Sequence, residues 1–385
     1  MKEFSLEGIN FETERPVRIS VKEGYISSVE ELSSVSGETL NTIIAPGFID
    51  NQVNGYAGVD FSGSQLTLSG AAKAAKALAQ EGVTTFLPTL VTSSHNDLIR
   101  NFDILSKALL SDEQLNLSVP GFHLEGPYIS ALEGYRGCHP LEHIRLPRWD
   151  EFLKYQDAAG GKIIQVTIAP ELEGAVDFIR KCTEEGILTS IGHTNATSEE
   201  ILLAVEAGAR ISTHLGNGCA NLIHRHNNPL WPQLANDMLV PTLIADGHHL
   251  LPDEIKVFCR VKGFENIILT SDVVYLSGMK PGKYNFMGSE VTLTPGGMLL
   301  NEALNCLAGA SFPLLKGVGN VMEFTGCSLS EAIKMASSNA ARVYGLDDRG
   351  SLSPGKRADL VLLKRDRNNL TVIKTYLNGR LVYEV

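Results

Sequence analysis

The sequence predicts an α/β fold, a (β/α)8 barrel with a small β-sandwich domain formed from both chain termini. Three observations predict it. The middle of the chain alternates short apolar runs with helical stretches, and eight such runs can be counted. The two ends read instead as short strands and turns. Polar residues with chemical potential sit at the C-terminal ends of the apolar runs, where such barrels build their reaction sites.

The eight runs are Ile43–Asp50, Val83–Leu90, Val119–Glu125, Lys162–Ala169, Ile187–His193, Ala209–His214, Val240–Ala245 and Asn266–Asp272. Buried runs alternating with helices imply parallel strands joined by crossovers. Helices are expected over Ser69–Gln80, Ala175–Glu185 and Glu199–Ala207. Thr197-Ser-Glu-Glu200 and Ser328-Leu-Ser-Glu331 carry the capping-box pattern, in which a hydroxyl and a carboxylate satisfy free amides at a helix start. Gly186 and Gly208 stand where helices should stop. At the ends, Arg15–Val21, Tyr25–Val29, Ala358–Leu363 and Val372–Val382 read as strands, and Asn378-Gly379 is a hairpin turn signal. The expected division is 1–46 with 347–385 for the small domain and 47–346 for the barrel.

Composition narrows the function. The chain has 385 residues, 43% hydrophobic and 20% charged, which suits an ordinary globular protein. The net charge of −11 and the lack of a basic tract argue against nucleic acid and anionic membrane as partners. No apolar run has the length of a membrane span, and the start lacks the apolar core of a signal peptide. The six cysteines are scattered without a Cys-x-x-Cys pair, which fits reduced thiols and a cytoplasmic location. Cys138 and Cys219 have no visible activating neighbour and read as inert.

Three strand ends carry the chemistry. His123-Leu-Glu-Gly-Pro127, Ile191-Gly-His-Thr194 and Ser212-Thr-His-Leu-Gly216 contribute Glu125, His193 and His214. One histidine near an apolar strand is more often a core residue than a ligand. Two imidazoles and one carboxylate at equivalent strand ends favour one divalent metal ion, with zinc the default and ferrous iron suited to the same ligands. Asp272, after the eighth run, is placed to take a proton from water and return it to a leaving nitrogen. Together these residues point to a metal-assisted hydrolase. Gln52 and Asn54 share a strand face and read as hydrogen-bonding groups where a second metal would otherwise sit, placed to contact substrate. Thr167-Ile-Ala-Pro170 lacks a lysine to support a bridged metal pair, so the site is expected to be mononuclear. His123 is either barrel filling or support for the ligands. His139 lies in a glycine-bearing loop and by residue type is equally a surface histidine or a substrate contact. At least one of His248 and His249 should face the site.

At these residues the chain resembles the amidohydrolase superfamily and, more narrowly, its N-acetylglucosamine-6-phosphate deacetylase family. Ala45-Pro-Gly-Phe-Ile-Asp50 with Gln52 and Asn54, the His-Leu-Glu-Gly-Pro stretch, Gly192-His193, Thr213-His-Leu215 with Asn217, Ile244-Ala-Asp-Gly247, Thr270-Ser-Asp272 and Leu307-Ala-Gly-Ala-Ser311 carry the resemblance. Gly350-Ser-Leu-Ser-Pro-Gly-Lys-Arg-Ala-Asp359 is similar to the superfamily's return into its β domain. The resemblance implies Glu125, His193 and His214 as metal ligands and Asp272 as general base and acid. It implies His139 as the group polarising the acetyl carbonyl and His249 as a substrate contact. Asn217 and Gly218 would offer backbone amides, and Ala310 belongs to the family's substrate loop. It also implies a small amino-sugar substrate and a homodimer. The loop His214-Leu-Gly-Asn-Gly-Cys219 departs from the family's usual His-Leu-x-Asn-Ala-Met, so Arg225 or His226 is expected to contact the phosphate. An unphosphorylated or galacto-configured N-acetylhexosamine is the alternative substrate. A cyclic-imide or N-acyl amino acid hydrolase, and a non-catalytic barrel scaffold, are the rival functions.

Overall fold

A computed structural model describes residues 3–34 and 37–385. Residues 1–2 and 35–36 of the expected small domain lie outside the described residues. Eight parallel strands form one sheet in chain order: Phe48–Val53, Val83–Val91, Phe122–Glu125, Ile163–Ile168, Leu188–Ile191, Ile211–Ser212, Val240–Leu243 and Ile268–Leu269. The first and last are joined through Val53 and Val273, with Asn54 N donating to Val273 O at 2.8 Å and Asp272 N to Gln52 O at 3.1 Å. Those two bonds close the barrel and bring residues 52–54 beside residue 272.

The helices follow their sequence signals. Leu68–Gln80 starts at Thr67, whose hydroxyl accepts from Gly70 N. Ser198–Ala207 and Leu329–Met335 begin in full capping boxes at Thr197 and Ser328. Their apolar faces bury against the barrel through residues such as Leu78, Ile201 and Ile333. Burial of this kind supplies most of a helix's stability in a folded protein.

A second sheet of seven strands draws on both ends of the chain. Its order is Arg380–Glu384, Asn369–Leu377, Leu360–Asp366, Thr42–Pro46, Phe4–Asn10, Pro16–Lys22 and Tyr25–Glu31. Asn378 and Gly379 both take positive φ, 49° and 72°, which the tight hairpin between the last two strands requires. The expected single run Ile43–Asp50 is two strands, Thr42–Pro46 in this sheet and Phe48–Val53 in the barrel. Gly47 makes the transfer. A Cβ there would meet the Thr84 side chain at 2.2–2.8 Å, so only glycine lets the chain cross at that point.

Two sheets were not anticipated, the short pair Gly55–Tyr56 with Val59–Asp60 and a larger one. Between the eighth barrel strand and the closing helices, Gly282–Phe286, Ser289–Leu293, Leu299–Asn301 and Cys306–Leu307 form a four-stranded antiparallel flap. It packs on its own small core, including Val274, Leu276, Phe286, Val291 and Leu299.

Asp50 shows what the barrel interior costs a charge. It is fully buried, and burial pushes its carboxyl up to about 6, against the bonds it accepts from Ser271, Gln52 and Thr270. An acid whose pKa is higher in the folded chain favours folding most at low pH. That contribution is lost as pH rises through the folded value. From the ordinary 3.8 to about 6 the shift corresponds to about 3 kcal/mol. Asp50→Asn should therefore gain stability relative to the native protein as pH rises from 4 to 7. Urea melts at several pH values check this, and a pH-independent difference would refute it.

Candidate metal centre and active site

Glu125 ends the third barrel strand, and His193 and His214 follow the fifth and sixth. His214 Nε2 lies 2.9 Å from Glu125 Oε1 and His193 Nε2 lies 3.4 Å from it. One nitrogen or oxygen from each of the three falls within 4.8 Å of the others, and all three residues are buried. His193 Nδ1 is 2.9 Å from the Tyr135 carbonyl, which can only accept, so Nδ1 carries a proton and Nε2, the atom turned toward Glu125, is the one a metal would take. Glycines fix the ring: a Cβ at Gly218 would lie 2.9 Å from it and one at Gly137 3.3 Å. Burial opposes ionisation of Glu125, but hydrogen bonds and charge from the two histidines outweigh it and hold its carboxyl well below the usual range. One anionic oxygen and two imidazole nitrogens converging in a buried cluster fit a divalent ion.

Asp272 sits beside this set. Gln52 Nε2 donates to Glu125 Oε1 and Asp272 Oδ1, both at 2.9 Å, and Asn54 Nδ2 donates to Asp272 Oδ1 at 2.7 Å. The two carboxamides thus tie one Asp272 oxygen and leave the other available. Burial and the nearby charge of Glu125 raise the Asp272 pKa, against His214, His249 and the Asn54 bond. The backbone is strained here. His193, His214 and Asp272 have φ of 50°, 29° and 53°, a region that side chains other than glycine rarely adopt. The strain lies on three of the four residues that the strand-end pattern singled out.

A cavity of about 470 Å³ opens over the cluster. Its wall includes Glu125, His139, His193, His214, His249 and Asp272, with Asn54, Asn217 and Gly218. His139 Nδ1 lies 2.7 Å from Thr92 Oγ1, and its ring centroid is 4.5 Å from that of His193. A Cβ on Gly126 would come 2.1 Å from the Thr92 hydroxyl, so the glycine makes room for that bond. Burial, helped by the charge of His193, pushes the His139 imidazole down to about 3. His249 Nδ1 lies 2.8 Å from Asp246 Oδ2, and Asp246 Oδ1 accepts from the backbone amides of His248 and His249. Both adjacent histidines line the cavity because residues 246–250 form a turn, where the alternation of a strand does not hold. Asn217 Nδ2 is buried with no protein partner.

Other expected site residues lie elsewhere. His123 fills the barrel, with Nε2 2.7 Å from Thr167 Oγ1 and Nδ1 3.3 Å from Thr89 Oγ1. Gln52 is buried beneath the cavity, bonded to the two carboxylates. Ala310 is buried and bonds through its backbone to Asp272 and Val274, while its neighbours Leu307, Ala308 and Gly309 line the wall. Arg225 and His226 are exposed at the tip of the loop after His214, outside the cavity wall. Thr92 and Asp246 were missed as supports for His139 and His249. Nothing local in sequence marks Thr92, whereas Asp246 stands three residues from its histidine. Cys138, read as inert, lies 3.1 Å from Cys306 Sγ on the flap.

The residues from 43 to 382 match the amidohydrolase family, and the chain belongs to it. It is 34% identical over 377 residues to the N-acetylglucosamine-6-phosphate deacetylase of Bacillus subtilis (strain 168), covering 95% of this chain and 92% of that one. It is 32% identical to an N-acetylgalactosamine-6-phosphate deacetylase of Escherichia coli O157:H7, covering 94% of each. The crystal structure of N-acetylglucosamine-6-phosphate deacetylase from Thermotoga maritima superposes with a TM-score of 0.88 at 30% identity, over 99% of this chain and all of that one.

Proposed function

We propose that this protein hydrolyses the acetamide of an N-acetyl amino sugar phosphate, with N-acetyl-D-glucosamine 6-phosphate as its first substrate, releasing acetate and the free amino sugar. The observation that carries the reading is the buried Glu125–His193–His214 cluster, joined to Asp272 through a single carboxamide. The named activities of the relatives support the substrate class.

Glu125, His193 and His214 would hold one divalent ion, zinc by the nitrogen-rich donor set, with ferrous iron the other suitable ion. When bound, such an ion supplies Lewis acidity, lowering the pKa of water and polarising a carbonyl. The protein's own groups do the rest. Asp272, tied through Oδ1, uses Oδ2 to accept a proton from water and then passes it to the amine nitrogen as the amide bond breaks. His139 is neutral at working pH, so it serves as a hydrogen-bond donor from Nε2 to the acetyl oxygen as negative charge builds there. His249, held by Asp246, and Asn217 with Gly218 contact the sugar.

His139 can donate from Nε2 only if Nδ1 accepts, which assigns the proton of the 2.7 Å bond to Thr92. Thr92→Val should then lower kcat by roughly 10- to 100-fold with a smaller change in KM, and Thr92→Ser should restore it. Equal losses in both variants would refute this role.

A second reading has one observation in its favour. Arg225 and His226, the expected phosphate contacts, stand outside the cavity wall, which suits an unphosphorylated N-acetylhexosamine, and the galacto-configured alternative rests on the Escherichia coli relative. Acetate release should be measured on matched phosphorylated and free N-acetylglucosamine and N-acetylgalactosamine. The first reading expects the 6-phosphate of the gluco sugar to react fastest. Faster turnover of a free or galacto sugar selects the second, and acetate from none of them overturns both in favour of a different hydrolase or a non-catalytic barrel.

The same reading includes a cytoplasmic homodimer. Six free cysteines and a described chain in which no helix is long and apolar enough to cross a membrane support the location. The division into 1–46 with 347–385 and 47–346 also belongs here, supported by the strand order of the two large sheets.

A further inference from the structure

Cys138 and Cys306 lie 168 residues apart in sequence, yet their sulfurs approach to 3.1 Å. Both line the cavity, and both are partly exposed. They belong to two adjoining pieces of its wall, a loop and the flap. Cys138 immediately precedes His139 in the 133–140 loop, whose Gly134 and Gly137 take positive φ. Cys306 opens the last strand of the flap, Cys306–Leu307. Cys138 Sγ also contacts the Leu307 carbonyl at 3.4 Å, so the loop already rests on the flap. The other four cysteines offer no such pair among the described residues. Cys182 and Cys259 are buried on the inner faces of their own helices, Cys219 Sγ points to the Gly216 carbonyl, and Cys327 precedes a helix start.

We propose that Cys138 and Cys306 form a covalent modification site at the mouth of the cavity, a dithiol that a low-molecular-weight disulfide converts to an intramolecular disulfide. The Cys306 thiolate attacks one sulfur of the incoming disulfide, breaking its S–S bond and expelling one thiolate. Cys138 then attacks Cys306 Sγ, forming the protein disulfide. The second small thiol leaves with the proton that Cys138 gives up. Two protein sulfurs are oxidised and one external disulfide is reduced to two thiols. Arg136 lies beside the pair and favours the thiolate at Cys306, with the Cys138 hydrogen bond the larger effect. The sulfurs need to move by about an ångström to bond.

The linkage ties the flap to the loop that carries His139, across the entrance used by substrate. Turnover that needs the flap to move is slowed when the two are stapled.

The test equilibrates the metal-loaded protein with glutathione disulfide, then maps its peptides by mass spectrometry under non-reducing conditions. This readout needs no substrate and stands whatever the protein hydrolyses. A linked peptide pair containing Cys138 and Cys306, lost on adding dithiothreitol, is expected. Acetate release should fall about tenfold on oxidation and recover on reduction. Cys306→Ser should show no oxidation-dependent change relative to its own reduced form, and Cys138→Ser should stop at a glutathione adduct on Cys306 with no linked peptide pair. Absence of the linked pair, stable glutathione adducts in its place, or equal inhibition of both serine variants would overturn the proposal.

Discussion

Asp272→Asn is expected to reduce kcat by roughly 10²- to 10⁴-fold, the usual contribution of a positioned acid–base group. The substitution isolates proton transfer because it disturbs little else. An asparagine Oδ1 still accepts from Gln52 and Asn54, so the two carboxamides keep their partners. The position has φ of 53°, and asparagine is among the few residues that tolerate that region. The amide that replaces Oδ2 cannot take a proton from water. Metal content should stay at one ion per chain, because Asp272 lies outside the three-residue donor cluster. KM should change little. Activity within a few-fold of the native protein would remove Asp272 from the reaction. Loss of the ion together with activity would make it a ligand instead.

The site was legible where chemistry coincides with strand ends. Glu125, His193, His214 and Asp272 each close a run of buried residues, and a parallel barrel places all such ends on one rim. The pairing of Gln52 with Asn54 was also readable from strand alternation, though their task was not. Their amides bond to Asp272 and Glu125, and Asn54 also lines the cavity. Contacts set by tertiary structure alone leave no local trace. Thr92 ends the second strand region with nothing to link it to His139, 47 residues later. The approach of Cys138 to Cys306 depends on how the flap folds back over the rim.

The fold was legible for a similar reason and failed in two places. Capping boxes and apolar periodicity act within one helix, so Thr197 and Ser328 announce their helices reliably. The Ile43–Asp50 run hid a change of sheet, because buried strands of both sheets are apolar on each side and only Gly47 marks the break. The flap escaped notice because its strands are short and only partly buried. Gly282–Phe286 buries one residue of five, too little to show an alternation.

Glu125→Gln should abolish stoichiometric metal binding and lower kcat on the order of 10³-fold, since an ion's Lewis acidity supplies several kcal/mol to such reactions. Glu125 contributes the only anionic oxygen of the donor cluster. The amide keeps the size and one acceptor oxygen, so the bond from Gln52 survives while the charge facing both histidines disappears. Glutamine is preferable to alanine at this buried position because it leaves no cavity. It also avoids the strained backbone at His193 and His214, where any substitution mixes two effects. Two measurements separate metal binding from folding. Elemental analysis should find about one ion per native chain and far less in the variant. Added zinc should raise the melting temperature of the metal-stripped native protein but not that of Glu125→Gln, because a ligand stabilises only a fold that binds it. A variant that keeps its ion and loses activity would assign Glu125 a different role. A variant that keeps both would remove the carboxylate from the centre altogether.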